Sequence, residues 1–346
     1  MTWHMMKKID AFIFIVLVLT ADMEWLGGAT AQAGGESIAQ IERLDPRFDR
    51  LVPRDAQVEK VADGFAWVEG PVWSKPGGYL LFTDIPNNSV FKWQPGRGVS
   101  LFMKPSGYTG AAPFTGREPG ANGLAFDSQG RLTLAEHGDR RIARLESDDS
   151  KTTLVDRYQG KRINSPNDLV YKSDGSLYYT DPPFGLPQAF DDPQKELPLS
   201  GVYRLSPQSE LTLLTDRIRK PNGIAFSPDE KTLYVSNAEP THAVWLAYAV
   251  NDDGTIANGR VLFDATEFAK TRKGAPDGMK VDREGNLFAA GPGGIYVIAP
   301  EGTLLGRIEL GVATANCAWG EDGSVLYIAA STAIYRIRTG TRGANF

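Results

Sequence analysis

From Gln57 onward the chain is written in short runs of alternating apolar and polar residues, broken by Gly, Asp and Asn, with no long helical period. Alternation sends successive side chains to opposite faces of an extended strand, so the pattern predicts β-structure. The pattern also repeats. A polar residue, often before Gly, opens an apolar stretch; a polar or Gly-bearing turn follows, then a second β-rich run. Copies begin at Glu69-Gly-Pro-Val-Trp, Ala121-Asn-Gly-Leu-Ala-Phe, Pro166-Asn-Asp-Leu-Val-Tyr, Pro221-Asn-Gly-Ile-Ala-Phe, Pro276-Asp-Gly-Met-Lys-Val and Ala315-Asn-Cys-Ala-Trp. Their leading polar residues lie about 40 to 55 positions apart, close to the length of a four-stranded propeller blade.

The turns agree with this reading. Gly77-Gly78, Gln129-Gly130, Asp174-Gly175, Glu284-Gly285 and Asp322-Gly323 each join two strand-like runs, with glycine available for the positive φ of a hairpin turn. Asp229-Glu230 lacks glycine and is the weakest of the set. Third alternating runs follow, as in Ser89-Val-Phe-Lys-Trp and Gly201-Val-Tyr-Arg-Leu. The expected architecture is all-β, a six-bladed β-propeller over residues 57–340. Residues 57–64 precede the first copy and are expected to add the outer strand of the last blade, closing the ring and removing its free edges. Ser37 to Leu51 has irregular helical spacing and reads as a short helix or arm, part of a segment 34–56 before the propeller.

In a propeller the innermost strand of each blade runs along the central channel. Glu69, Asn122, Asn167, Asn222, Asp277 and Asn316 therefore fall on one rim, each placed just before its inner strand. Taken singly, Asn-Gly and Asp-Gly mark turns. Here the hairpin turn comes several residues later in every copy, so that role is already filled. Two carboxylates and four amides are hard oxygen donors, which suit Ca²⁺ better than Zn²⁺ or copper. Glu69 and Asp277 would neutralise a dication, and without one they would repel each other. A minority rival is that such an ion merely staples the blades together.

Composition narrows the partners. A net charge of -5 with no basic stripe offers nothing to nucleic acid. Cys317 is the only cysteine, which rules out an intramolecular disulfide and a Cys-rich metal site; its apolar context reads as a buried small residue. Lys7 and Lys8 before the apolar run 11–21, with Ala31-Gln32-Ala33 beyond it, read as an export signal over residues 1–33. That run is too short to span a bilayer, so no stable membrane insertion is expected after cleavage, and the mature chain is expected in the periplasm or outside the cell. An uncleaved anchor is the alternative.

Several strings together resemble the gluconolactonase and senescence marker protein (regucalcin) family, and its microbial gluconolactonase-like branch in particular. They are Glu69-Gly-Pro-Val-Trp, Leu81-Phe-Thr-Asp-Ile, Glu136-His-Gly-Asp-Arg-Arg, Asn164-Ser-Pro-Asn-Asp, Tyr179-Thr-Asp-Pro-Pro-Phe-Gly, Pro221-Asn-Gly-Ile-Ala-Phe-Ser-Pro-Asp and Pro276-Asp-Gly-Met. The resemblance runs from about residue 40 to 338. It implies a six-bladed propeller, one catalytic divalent cation (Ca²⁺ first, then Mg²⁺, Mn²⁺ or Zn²⁺) and hydrolysis of a sugar lactone. Matching positions make Glu69, Asn222 and Asp277 the metal ligands, with Asn167 touching metal or substrate and Asp277 doubling as general base. Asn122, His137 and Asp168 are placed with the substrate; the regucalcin branch has no clear match for the His137 string.

No Gly-x-Ser-x-Gly elbow exists and only three His are present, so a Ser-His-Asp mechanism lacks its parts. Arg140 and Arg141 read as solvated, and Asp84 as a cap on a strand end, while Asp181 could reach the channel. Trp73, Tyr108, Phe114 and Phe184 either wall a pocket or pack between blades. The stretches 108–120 and 182–199 are candidate lids. Two other classes stay open: an esterase or phosphotriesterase on the same scaffold, and a binding propeller with a structural metal.

Overall fold

The computed structural model describes residues 39–346, so the expected export signal and the start of the expected arm lie outside the described residues. Among the described residues, six antiparallel sheets of four or five strands follow one another along the chain, with a short two-stranded hairpin (Arg157–Tyr158 and Lys161–Arg162) between the second and third. Their innermost strands are Val68–Ser74, Ala121–Phe126, Leu169–Tyr171, Pro221–Phe226, Met279–Val281 and Thr314–Gly320. Each packs beside the inner strand of the next blade, and the sixth returns to the first. The ring is closed, and the fold is the six-bladed propeller expected.

Closure is made by strand Val58–Asp63, which pairs antiparallel with Ala333–Arg338 as the outer strand of the last blade. The arm differs from expectation. Gln40–Arg43 is a strand, not a helix, and adds a fifth strand to the fifth blade by pairing with Leu304–Glu309. Only one helical turn follows, Phe48–Leu51. That turn buries Phe48 and Leu51 against the fifth and sixth blades, and this anchors the strand where its own sparse apolar spacing did not.

Second strands such as Leu132–Glu136, Leu177–Asp181 and Val325–Ala330 are buried along their whole length. Both of their faces are covered by neighbouring blades, which is why they read as continuous apolar runs rather than strict alternation. Aromatic pairs fill the gaps between blades. Trp73 of the first blade stacks on Tyr327 of the sixth at 5.5 Å, and Trp245 of the fourth meets Tyr296 of the fifth at 5.2 Å. Trp73 is thus packing and not a wall of the polar mouth. Cys317 is buried and free. The hairpin glycines take positive φ, among them Gly130 at +77°, and Glu230 adopts +57° where no glycine is available.

Glycine serves a different purpose on the inner strands. A Cβ at Gly223 would lie 2.3 Å from the Asp277 carbonyl oxygen, whereas a Cβ at Gly130 would meet nothing within 4 Å. Gly223→Ala should therefore lose about 1–3 kcal/mol in urea unfolding by overpacking, while Gly130→Asn, a residue that tolerates left-handed backbone, should lose less. An unchanged urea midpoint for Gly223→Ala would show that blade-to-blade contact is not what the glycine is for.

Candidate functional site

The six leading polar residues lie at one end of the inner strands and are joined in a circuit. A Cβ at Gly70 would strike the Asn122 carbonyl oxygen at 2.1 Å. The Gly123 amide donates to the Asn167 carbonyl at 2.7 Å. Thr180, beside Asn167, donates its hydroxyl to the Asn222 carbonyl at 2.6 Å. Gly223 abuts Asp277, and Gly278 abuts the side chain of Asn316. Asn316 then donates from Nδ2 to Glu69 Oε2 at 3.3 Å, completing the circle.

Glu69, Asn122, Asn222 and Asn316 sit within their strands, not before them as the sequence suggested. In each of those strands the pairing register shifts at or just beside the polar residue. Such an irregularity bends the strand and re-aims its side chain without ending it. Asn167 and Asp277 do precede their strands.

A second repeating device holds the ring, and the sequence reading missed its meaning. The second strands of three blades end in Thr83-Asp84, Thr180-Asp181 and Ser236-Asn237. The acid or amide accepts a backbone N–H just upstream of the ring residue: Trp67 to Asp84 at 3.1 Å, Asn164 to Asp181 at 2.8 Å, Lys220 to Asn237 at 3.1 Å. The hydroxyls bond the ring backbone itself, Thr83 to Asn122 O at 3.1 Å and Ser236 accepting from Gly223 at 2.7 Å. The recurrent Thr/Ser-Asp/Asn pair was the available signal. Asp84 is the strand-end cap expected. Asp181 holds the Asn164 backbone with one oxygen and leaves Oδ1 buried without a partner; burial pushes it up to about 7, against the Asn164 N–H and nearby Arg140.

The electrostatics converge on the same end. Burial pushes Glu69 up to about 8, reinforced by Asp168 and Glu118 and opposed by the Gly70 N–H and Asn316. Asp277 keeps some exposed surface, yet its carboxyl group is enclosed and raised well above the usual range, first by burial and then by Glu69 and Asp168. Asp168 is also raised by burial, against the pull of Lys280 and the N–H groups of Leu169 and Ile224. It stands where other blades have the small inner-strand glycine, and it accepts from Leu169 at 2.9 Å. Asp168 and Glu118 thus add to the burial that raises Glu69 and Asp277.

Among the described residues no group of three or more His, Cys, Asp or Glu is gathered to hold a metal. The available donor set is instead two acids with amides. Asn222 Oδ1 is buried with no hydrogen-bond partner. Glu69 uses Oε2 for the Gly70 N–H, and Asp277 uses Oδ1 for the Gly278 N–H; each leaves its other oxygen unbonded among the described residues. Two repelling carboxyl groups beside an orphaned amide oxygen fit a hard dication. Asn122 and Asn167 are nearly buried, and their side-chain amides are likewise unbonded among the described residues. A 280 Å³ cavity lined by Val72, Trp73, Leu124, Ile224 and Trp319 lies at the other end of the strands and includes no ring residue. Chemistry, not volume, marks the polar mouth.

His137 lies off the ring and fully buried, with Nδ1 2.9 Å from Glu118 Oε2. The contact is off the line of a well-formed hydrogen bond, and neither ring nitrogen has another partner. Arg140 corrects an expectation: it is buried, not solvated. Its guanidinium donates to the carbonyls of Ile163, Asn164 and Gln194 at 2.8–3.0 Å. It ties the approach to Asn167 to the 182–199 stretch. Arg141 pairs with Glu136 at 2.6 Å. Of the aromatics, Tyr108 packs on Phe114 at 5.0 Å and Phe184 on Phe190 at 6.2 Å, each within its own loop.

Against known proteins, a family model described as SMP-30/Gluconolactonase/LRE-like region matches residues 67–332. A gluconolactonase of Zymomonas mobilis is 40% identical over 337 residues, covering 95% of this chain and 95% of its own. The structure of a gluconolactonase from Xanthomonas campestris matches with a TM-score of 0.76 and 32% identity, over 89% of this chain and 98% of that one. A calcium-binding regucalcin from Agrobacterium tumefaciens matches with a TM-score of 0.64 over 82% of this chain and 94% of that one, and at 18% identity it shares the fold alone. With the repeat, the polar ring and these matches in agreement, the chain belongs to the SMP-30/gluconolactonase/LRE-like family.

Proposed function

We propose that the protein hydrolyses a sugar lactone, with gluconolactone as the first substrate to try, at the polar mouth of the propeller. The observation that carries this reading is the pair of raised carboxyl groups, Glu69 and Asp277, set beside the orphaned Asn222 oxygen. The 40% identity to a gluconolactonase supports the substrate class. Glu69, Asn222 and Asp277 would hold a divalent cation, Ca²⁺ first, with Asn167 beside them. When bound, such an ion supplies Lewis-acid polarisation of an ester carbonyl.

The chain's own groups then have definable tasks. Asp277, while also helping to hold the cation, accepts the proton of the attacking water at its carboxylate. The amides of Asn122 and Asn167 offer N–H donors to the oxyanion that develops as water adds to the carbonyl carbon. As the ring C–O bond breaks, the proton held by Asp277 passes to the departing ring oxygen, and the product is the open hydroxy acid. Asp168 faces the same centre from one residue further along its strand.

Asp277→Ala and Asp277→Asn should each lower kcat by about 10²–10⁴-fold if Asp277 moves the proton, measured on gluconolactone with spontaneous opening subtracted. Full activity in either variant would reject the role.

The raised carboxyl groups also set a pH dependence. The folded-state pKa of Glu69, about 8, lies above its ordinary value of 4.5. Its contribution to stability in the metal-free protein is therefore complete below the ordinary value and lost as pH rises through about 8. Thermal unfolding after chelation should show Tm falling across that window, and adding Ca²⁺ should raise Tm more at pH 8.5 than at pH 5. A Ca²⁺ shift no larger at the higher pH would count against the cation site. We also propose export, from Lys7, Lys8 and Ala31-Gln32-Ala33; mass spectrometry of protein recovered from the periplasm or medium should give Gly34 as the first residue.

A further inference from the structure

We propose that Glu118, held in position by His137, accepts a hydrogen bond from a hydroxyl on the substrate ring and thereby sets a preference for hydroxylated lactones. This deepens the lactonase reading and rests on it.

Glu118 belongs to the irregular stretch between the first and second blades, four residues before Asn122. The chain just after it is anchored: Gly120 donates to the Ile85 carbonyl at 3.0 Å, and Ala121 to the Ser106 hydroxyl at 3.1 Å. His137 is anchored as firmly. Its backbone N–H donates to the Gly120 carbonyl at 3.2 Å. A Cβ at Gly185 would lie only 2.5–2.8 Å from the Cβ, Cγ and Nδ1 of His137, so the second loop lies flush against the imidazole and leaves it no room to swing. The ring thus holds its Nδ1 at a fixed place, 2.9 Å from one carboxyl oxygen of Glu118.

The carboxyl group is partly open to solvent and acts electrostatically on the mouth. Its side chain is 34% exposed, and its Oε1 has no partner among the described residues. It lies near enough to Glu69 and Asp277 to help push both upward. It is not a third acid ligand, since no three acids gather closely enough to hold a metal among the described residues. The ring amides can donate to a carbonyl oxygen, but a polyhydroxylated ring also brings donors of its own, and these need an acceptor. A carboxyl oxygen fixed at the rim by an immobile imidazole supplies one with little left to order on binding. The misaligned His137 contact is the kind of hydrogen bond that tightens when a second partner arrives.

In Glu118→Gln the amide oxygen would turn to His137 and present an NH₂ to the mouth, replacing an acceptor with a donor. The test compares gluconolactone with δ-valerolactone, which has no hydroxyls, in the wild type, Glu118→Gln, His137→Leu and His137→Asn. Calorimetric binding of sorbitol, which cannot react, is measured alongside. Glu118→Gln and His137→Leu should lower the ratio of kcat/KM for gluconolactone over valerolactone about 10- to 100-fold, and weaken sorbitol similarly. His137→Asn, which retains a donor near the Nδ1 position, should keep most of the preference. Because the ratio is taken within one preparation, partial unfolding cancels. Equal loss on both lactones, or an unchanged ratio, overturns the proposal. If the wild type opens neither lactone, the lactonase reading falls, and sorbitol binding alone decides: affinity unaffected by Glu118→Gln overturns the role of Glu118 as well.

Discussion

The structure depends on how closely six inner strands approach one another around the axis. At Gly70, Gly123, Gly223 and Gly278 the neighbouring blade comes within what any added carbon would occupy. That contact presses six polar residues into one small circle, where burial raises Glu69, Asp168 and Asp277 together and repulsion adds to it at Glu69 and Asp277. The same geometry that packs the disc therefore creates the electrostatic tension of the mouth. A wider ring would relieve the acids and also dissolve the constellation they make.

Two blades depart from the glycine rule, and the departures are informative. Cys317 replaces glycine in the sixth blade and is a quiet packing residue, its thiol donating to the Phe288 carbonyl and pushed up to about 12 by burial. Asp168 replaces it in the third blade and puts a third acid within the circle. The blades are repeats in backbone but not in chemistry: the ring acids Glu69, Asp168 and Asp277 stand on alternate blades, the first, third and fifth. Lys280, which draws on Asp168 from the fifth blade, partly offsets this acid.

The repeat made the fold readable, because each copy announced a strand, a hairpin turn and another strand. It made the ring readable too, since Asn222 and Asp277 occupy equivalent places. What stayed hidden depended on contacts across long sequence separations. Arg140 looked like a surface charge because its three carbonyl partners lie on segments 23 to 54 residues away. Glu118 carried no signal in a stretch that reads as Gly- and Pro-rich loop, and only the fold brings it to His137. Gln40–Arg43 has too little apolar periodicity to declare itself a strand, because a neighbouring blade edge, not its own pattern, recruits it. The Thr83-Asp84 and Thr180-Asp181 pairs were visible as strings, but their use as pins for the upstream backbone was not.

The closing strand has a consequence for the order in which the molecule is made. Val58–Asp63 is made before the inner strands of all six blades, yet its partner Ala333–Arg338 is made only after them. Asn316, which donates to Glu69, comes only with the sixth blade. A growing chain can form hairpins and single blades by local pairing, but the ring cannot shut until the sixth blade has been made, and pairing across so large a sequence gap is slow. The acids of the mouth are thus kept apart throughout elongation and meet only in the completed disc, so a truncated product would carry the residues without ever assembling the centre.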